Sequence, residues 1–382
     1  MSTTALQEQV RATCARDARL GTGAAARAAA IRIVAGGTWL DAGRPVRDAA
    51  PFSLAGDDAI VEYVAGDLTL TARAGAPLAE IARVTAAEGQ WLALDPFGAA
   101  TGTLGATIAT GSAGPLAHAF GTPRDNVLGV EAVTGTGDIV RAGGRVVKNV
   151  AGFDLTRLFT GAWGTLAVIT EATVRLRARP ERDETIALAL PSGDEMEAWL
   201  AKLRALPFSA LALELLNASL SRALGLGDRA LLLARLGGNA DSVRAQLQAM
   251  RVLGEAIAAP PSTWRALAEI EPAGAAVARI SASPSRLHAL WARHAHNEES
   301  TFAHASVGRG IVRCIHRPTT SAPVAAWLEY IARTEGTHMF ERLPASDWEK
   351  VPAHVNDPLS RAVRAAFDPR RVLNRGILGD VA

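Results

Sequence analysis

Apolar residues in the first half of the chain come in short runs with β-type spacing. IRIV at Ile31, LTLTARA from Leu68 and GTLAVITEATVRL from Gly164 each alternate or run continuously in apolar and β-branched residues, and glycine-rich turns separate them. One stretch, Pro77 to Glu88, has helical spacing instead. After about residue 180 the glycine clusters thin out and period-3.6 patterns take over. The strand-like ETIALAL is followed by a helix with Met196, Trp199, Leu200, Leu203 and Leu206 on one face, then by strands LALELL and RALLLARL, then by a helix from about Asp241. From Val277 the order recurs: strand VARISA, a helix with Leu287, Leu290, Trp291 and His294, strands STFAHA and GIVRCIH, and a helix with Val324, Trp327, Leu328 and Ile331. This predicts two successive βαββαβ units, with helices on one face of an antiparallel sheet and the other face free to cover something. A single irregular α/β domain without a repeat is the competing reading.

The charged segment Arg177 to Glu184, with Pro180 inside it, has the composition of a linker. It divides the chain into domains 1–180 and 181–382, and the fold class is α+β. A chain of 382 residues, 49% of them hydrophobic, buries enough surface for two such domains. Forty basic against thirty-eight acidic residues leave no field for nucleic acid or an anionic bilayer. Cys14 and Cys314 are far apart with no CxxC pair, so an iron–sulfur cluster is not expected on this chain, and both read as reduced thiols of a cytoplasmic protein. The polar stretch Met1 to Arg11 lacks the apolar centre of a signal peptide. The longest uncharged stretch, Phe97 to Phe120, is crowded with Gly, Thr, Ser and Pro and reads as a binding segment, so membrane contact is at most peripheral or through a partner.

Three glycine-rich segments carry the candidate chemistry. In the first, a strand through Ile33 and Val34 runs into the turn Ala35-Gly36-Gly37-Thr38. Glycines there let backbone N–H groups converge on a phosphate without a Cβ in the way, although any tight turn can use Gly-Gly. The second, from Pro96 through Gly98, Thr101, Gly102, Thr103, Gly105 and Ala106 to Ser112 and Gly114, is too small-sided to fill a core. It also holds too much Leu and Ile to be a linker, so it suits a wall against a large flat ligand. The third contains Lys148, Asn149, Gly152, Phe153 and Asp154, then Gly164, Thr165 and Leu166 ahead of a strand through Ile169, whose backbone can pair with the edge of a heterocycle. Gly21 to Ala26 imitates a dinucleotide fingerprint, but polar ARDAR precedes it where a buried strand is required. His288, His294 and His296 fall on one helical stretch without an acidic partner, the pattern of surface and core histidines.

The order of these segments, with GTPRDNVLG from Gly121 between the second and third, resembles the FAD-linked oxidases typified by vanillyl-alcohol oxidase and p-cresol methylhydroxylase. Lys148 to Leu155 and the closing FDPRRVLNRG from Phe367, which contains Asn374, are similar to glycolate oxidase subunits, and the short length favours the E type over the longer catalytic D type. The resemblance implies a PCMH-type FAD-binding domain, then a ferredoxin-like cap domain, with residues 357–382 returning toward the flavin domain. It also implies that the residues named in the three segments, together with Asn374, contact FAD. No histidine lies in the Gly36-Gly37-Thr38 turn, so attachment of FAD there is non-covalent. Ala35 and Ala106 stand where the group often has Gly. The metal motif of the group's D-2-hydroxy-acid dehydrogenases, His-x-Gly-Asp-Gly-Asn-x-His, is reduced here to His304-Ala-Ser-Val-Gly-Arg-Gly-Ile, which cannot hold a divalent metal.

The resemblance therefore implies an FAD-binding subunit of a glycolate-oxidising complex. Its partners would be a catalytic flavoprotein and an iron–sulfur subunit, and it would be inactive alone. A structural assembly subunit and an autonomous D-2-hydroxy-acid dehydrogenase are the other two readings.

Overall fold

In the computed structural model, the described residues are 3–19, 30–46, 49–144, 153–295, 300–317, 324–353 and 355–379. They form two compact units, one of residues 1–113, 121–179 and 352–382, the other of residues 114–120 and 180–351.

The first unit begins with helix α1 (Thr3–Arg19), followed by strands β1 (Ala30–Val34), β2 (Ala49–Ser53), β3 (Ile60–Val64) and β4 (Thr69–Arg73). Helix α2 (Leu78–Ala86), strand β5 (Gln90–Trp91) and helix α3 (Leu104–Thr110) come next; α4 (Ala117–Phe120) belongs to the second unit. Helix α5 (Pro123–Asn126), strands β6 (Val127–Thr134) and β7 (Ile139–Gly143), helix α6 (Leu155–Phe159), and strands β8 (Ala167–Arg175) and β9 (Arg177–Ala178) complete this stretch. The main sheet has the order β3-β4-β8-β6-β7 and is antiparallel throughout. Residues 69–72 of β4 are all buried, the pattern of a strand covered on both faces. Ile81 of α2 and Leu104 and Ile108 of α3 share one core with Leu70, Ala72 and Val174.

A parallel pair, β1 and β2, stands apart from that sheet. The chain's last segment closes it from the other side: the Ile31 N–H donates to the Val372 carbonyl at 2.6 Å, and Ile31 bridges Leu373 in parallel.

The second unit contains β10 (Arg182–Ala189), α7 (Glu195–Arg204), β11 (Ala212–Leu216), α8 (Ala218–Ala223), β12 (Leu231–Gly238), α9 (Ala240–Met250), β13 (Ala256–Ala258) and α10 (Ser262–Ala268). Then come β14 (Ala276–Ser281), α11 (Leu287–His294), β15 (Thr301–Ser306), β16 (Ile311–His316), α12 (Val324–Ala332) and β17 (Thr337–Arg342). One antiparallel sheet, ordered β13-β10-β12-β11-β15-β16-β14-β17, takes all eight strands. It is two four-stranded ferredoxin-like halves joined where Glu214 of β11 faces Ser306 of β15.

One expectation is corrected here. The sheet's second face is not left free, because Leu220 of α8 and Trp264 and Leu267 of α10 pack there on Leu216, Leu233, Val277 and Phe302. Trp199, Trp291 and Trp327, on the apolar helix faces the spacing predicts, are buried in the core under the first face, where the Trp199 indole donates to the Leu253 carbonyl at 2.9 Å. After Pro358–Phe367 (α13) the chain ends in the segment that closes β1.

Candidate functional site

Where β1 leaves its partner strand, the backbone turns through Gly36 and Gly37. A Cβ on Gly36 would sit 2.1 Å from the Thr101 carbonyl oxygen, so glycine there lets the first and second glycine segments pack together. Gly37 differs. Its φ is 79°, which glycine adopts without strain, and a Cβ there would meet only Leu40 Cδ1 at 3.9 Å. Among the described residues no acceptor takes the N–H of Gly36 or Gly37. A turn with two undirected donors and open space above Gly37 has the form of an anion cradle.

This turn borders a cleft. Of the residues expected at a flavin, the structure brings Ala35, Gly36, Gly37, Thr38, Gly105, Ala106, Gly164, Ile169 and Asn374 to its wall. Their neighbours there include Leu54, Ala74, Ala109 and Val168, an apolar lining suited to a flat ring system. Trp39 and Trp163 also line it and meet edge to face, 5.7 Å apart at 84°.

Glycine at 105 has a packing cause: a Cβ would come within 2.6 Å of the Ala74 Cβ, so it sets how closely α3 approaches the end of β4. Asn374, buried and at φ 40°, uses both ends of its side-chain amide on the scaffold. Its Oδ1 accepts from the Ile33 N–H at 3.0 Å and its Nδ2 donates to the Trp163 carbonyl at 2.9 Å, which ties β1 to the Trp163-Gly164 turn. A Cβ on Gly164 would lie 2.7 Å from that Nδ2.

Other expected positions lie off the cleft wall. Val34 is the last residue of β1. Gly98 lies beside Thr38, a Cβ there meeting Thr38 at 3.8 Å, in the same segment as Pro96, Thr101 and Gly102. Thr103 caps α3, accepting from the Ala106 N–H at 3.4 Å, and the Ser112 Oγ accepts from the Phe97 N–H at 3.2 Å. Asp154 caps α6, accepting from the Arg157 N–H at 3.0 Å, while Phe153 is 90% exposed. The Thr165 hydroxyl donates to the Ala162 carbonyl at 2.6 Å, and Thr165 and Leu166 line a different cavity. Gly114 belongs to the second unit. Lys148, Asn149 and Gly152, the glycine run 21–26 and His296 fall outside the described residues.

Sequence reasoning missed Arg32. It lines the cleft with its guanidinium held below the ordinary arginine range by burial, and its Nη2 lies 3.4 Å from the Leu40 carbonyl. Among the described residues no carboxylate pairs with it. The signal was present as a lone cation inside an otherwise apolar β1.

The second unit holds a separate polar cluster. His304 Nδ1 lies 2.8 Å from the Glu214 carboxylate, with both residues buried. His118 of α4 packs on Gly308, where a Cβ would come 2.6 Å from its Nδ1. Burial lowers the pKa of His118, Glu214 opposes that shift and Arg309 adds to it. His288 lies 3.8 Å from Glu197, and His294 is buried with its Nε2 3.1 Å from the Thr334 hydroxyl.

Residues 20–143 match the sequence model of the family described as FAD binding domain. The first unit is thus a PCMH-type FAD-binding domain, and the cofactor is FAD. The free donors at Gly36 and Gly37, the apolar wall and the Arg32 charge all fit that cofactor.

Among individual proteins, the chain is 39% identical over 127 residues to glycolate oxidase subunit GlcD of Bacillus subtilis, covering 33% of this chain and 27% of the relative. It is 38% identical over 157 residues to glycolate oxidase subunit GlcE of Escherichia coli, covering 40% of this chain and 44% of the relative. It is 34% identical over 145 residues to D-2-hydroxyglutarate dehydrogenase of Xanthomonas citri, covering 38% and 31%. The chain thus matches less than half the length of each of these relatives. In overall fold it is similar to a solved structure of alkyldihydroxyacetonephosphate synthase, with a TM-score of 0.66 at 15% identity over 96% of this chain and 73% of that one.

Proposed function

We propose that this chain is the FAD-binding, E-type subunit of a complex that oxidises glycolate to glyoxylate and passes the electrons to an iron–sulfur partner. The observation that carries the reading is the Gly36-Gly37 turn, with its free donors and open space, set into a cleft with apolar walls. The similarity to glycolate oxidase subunits directs it toward a 2-hydroxy acid.

When bound, FAD supplies a two-electron acceptor for the carbon that bears the substrate hydroxyl. This chain's own residues do the holding. The N–H groups of Gly36 and Gly37 and the charge of Arg32 are suited to the pyrophosphate, and Ala106, Val168 and Ile169 exclude water from the rings. Asn374 and Gly105 act one step back, fixing the turns that carry those groups. Among the described residues no Cys or His lines the cleft, which supports non-covalent attachment, and acid precipitation should release all the flavin into the supernatant. Yellow colour left on the pellet would refute this.

On this reading the flavin domain is 1–180, the cap-type domain begins at 181, and residues 357–382 run back to the flavin domain. The protein is cytoplasmic and reaches a membrane only through partners; no helix among the described residues is long and apolar enough to cross one.

One observation favours a supporting role over autonomous catalysis. The surviving histidine of the reduced metal motif, His304, is engaged by Glu214 inside the sheet. The chain alone should then leave its flavin oxidised under anaerobic glycolate or D-lactate. The complex with a catalytic flavoprotein and an iron–sulfur subunit should bleach and reduce an artificial dye. Rapid bleaching of the isolated chain by either acid would make it an autonomous dehydrogenase.

A further inference from the structure

The turn from Gly161 to Leu166 contributes to two cavities. Trp163 and Gly164 line the flavin cleft, whereas Gly161, Ala162, Thr165 and Leu166 line a second hollow of ≈ 400 Å³, completed by α13, the residues before it and the tail at Arg371 and Leu378. Its walls are largely apolar, with Leu158, Leu359 and Val363 among them. Its charged residues are all arginines: Arg124, Arg361, Arg364 and Arg371.

Two of these are already engaged. Arg364 lies 3.1 Å from Asp368 and donates to the Leu373 carbonyl at 2.7 Å, and Arg361 donates to the Asn356 carbonyl. The guanidinium groups of Arg124 and Arg371 have no acceptor among the described residues, and Nη1 of Arg371 is shielded from solvent. A guanidinium stays charged throughout the pH range of a folded protein, so a shielded donor without an acceptor carries an uncompensated desolvation cost. Arg371 also holds a positive φ of 52°, a conformation that an L residue keeps only when its surroundings enforce it and that gathers at ligand sites.

We propose that this cavity binds a small amphipathic anion, its carboxylate or phosphate head between Arg124 and Arg371 and its apolar body against Leu158, Leu359 and Val363. The planar fork of arginine suits either head group, and the volume lies in the range of small-molecule pockets. The proposal stands on the cavity and its arginines, independently of the function assigned above.

Calorimetric titration of the full-length, flavin-loaded chain with hexanoate, hexyl phosphate, hexanol and inorganic phosphate tests it. Saturable binding of hexanoate, hexyl phosphate or both is expected, the stronger of the two identifying the head group. Hexanol and inorganic phosphate should bind at least about tenfold more weakly. Arg124→Gln and Arg371→Gln should each weaken the anion by about tenfold or more, with flavin content unchanged. Arg124 is exposed, so its variant decides the matter even if the Arg371 variant folds poorly. Failure of both amphipathic anions to saturate, equal binding of hexanol, undiminished affinity in the Arg124 variant, or release of flavin by the probe would each overturn the proposal.

Discussion

Gly37 and Gly105 are both required to be glycine, for different physical reasons that substitution can separate. Alanine at 105 would press on Ala74, a packing fault worth about 1–3 kcal/mol that should lower the urea midpoint whether or not flavin is present. Alanine at 37 meets no steric obstacle, but it strains a left-handed turn by about 1–2 kcal/mol and intrudes on the cradle. Its flavin content should fall further than its stability predicts; if flavin is retained in full, the cradle lies elsewhere. Arg32→Gln should weaken flavin retention by about tenfold or more without lowering the unfolding midpoint of the flavin-free protein. Asp368 has the opposite character, a structural acid. It is wholly buried and accepts from the N–H groups of Val372 and Leu373, both at 2.9 Å. Burial raises its pKa, against the pull of Arg364 and those N–H groups. The folded state therefore binds this proton more tightly than the unfolded chain. The resulting stabilisation is complete below the ordinary aspartate value and is lost as pH rises through the folded one. Asp368→Asn leaves one N–H facing a donor and should cost about 1–3 kcal/mol at neutral pH. Measured by urea titration, the gap to the parent protein should widen on acidification through that window.

At the scale of elements, the strands of the second unit were legible because apolar alternation specifies which face of each strand is buried. The run VARISA is realised as β14 (Ala276–Ser281) and GIVRCIH as β16 (Ile311–His316). The cover on the second face was not legible. Helix α8 is only 6 residues long and α10 only 7, too short for a period to declare itself, and the polar part of that face looks solvated in sequence. In space it is a buried ionic network. Arg313 pairs with both Glu271 and Glu341, Arg342 reaches Glu271 at 2.5 Å, and Arg279 lies 3.1 Å from Glu341. Burial works against ionisation of Glu341, but Arg313 and Arg279 outweigh it and its pKa is lowered. Its contribution is present above the ordinary glutamate value and disappears as pH falls through the lowered one. Arg313→Met leaves Glu271 to Arg342 alone and Glu341 to Arg279 alone, removes a buried partner from each carboxylate, and should cost about 3–5 kcal/mol. A loss below 1 kcal/mol in urea unfolding would mean that water already compensates these charges. The candidate site shows the same limit. Glycine-rich turns announce a cradle, but nothing in the spacing of Asn374 says that both its amide atoms bond the backbone to tie β1 to the Trp163 turn.

For the whole molecule, the decisive feature is that the first unit is discontinuous, its residues 352–382 following a second unit that occupies residues 180–351. The returning segment completes the first unit's framework. It supplies the Val372 carbonyl for Ile31 and the Leu373 bridge beside it, and through Asn374 it holds the end of β1 against the turn at Trp163. The Asp368 carboxylate also lies against Gly135, where a Cβ would approach within 2.2 Å, so the β6–β7 turn depends on the same segment. A chain ending at Val351 would keep every glycine of the Gly36-Gly37 turn yet lose the partners that position it. That truncated protein should emerge without flavin and with its first unit unfolded, whereas the second unit, whose eight-stranded sheet draws no strand from the tail, should keep its cooperative transition. Flavin absorbance at fixed protein concentration, together with amide hydrogen exchange, reads both outcomes. Retention of stoichiometric flavin by the truncated chain would show that the first 179 residues form the site unaided, and that the closing segment contributes packing and no more.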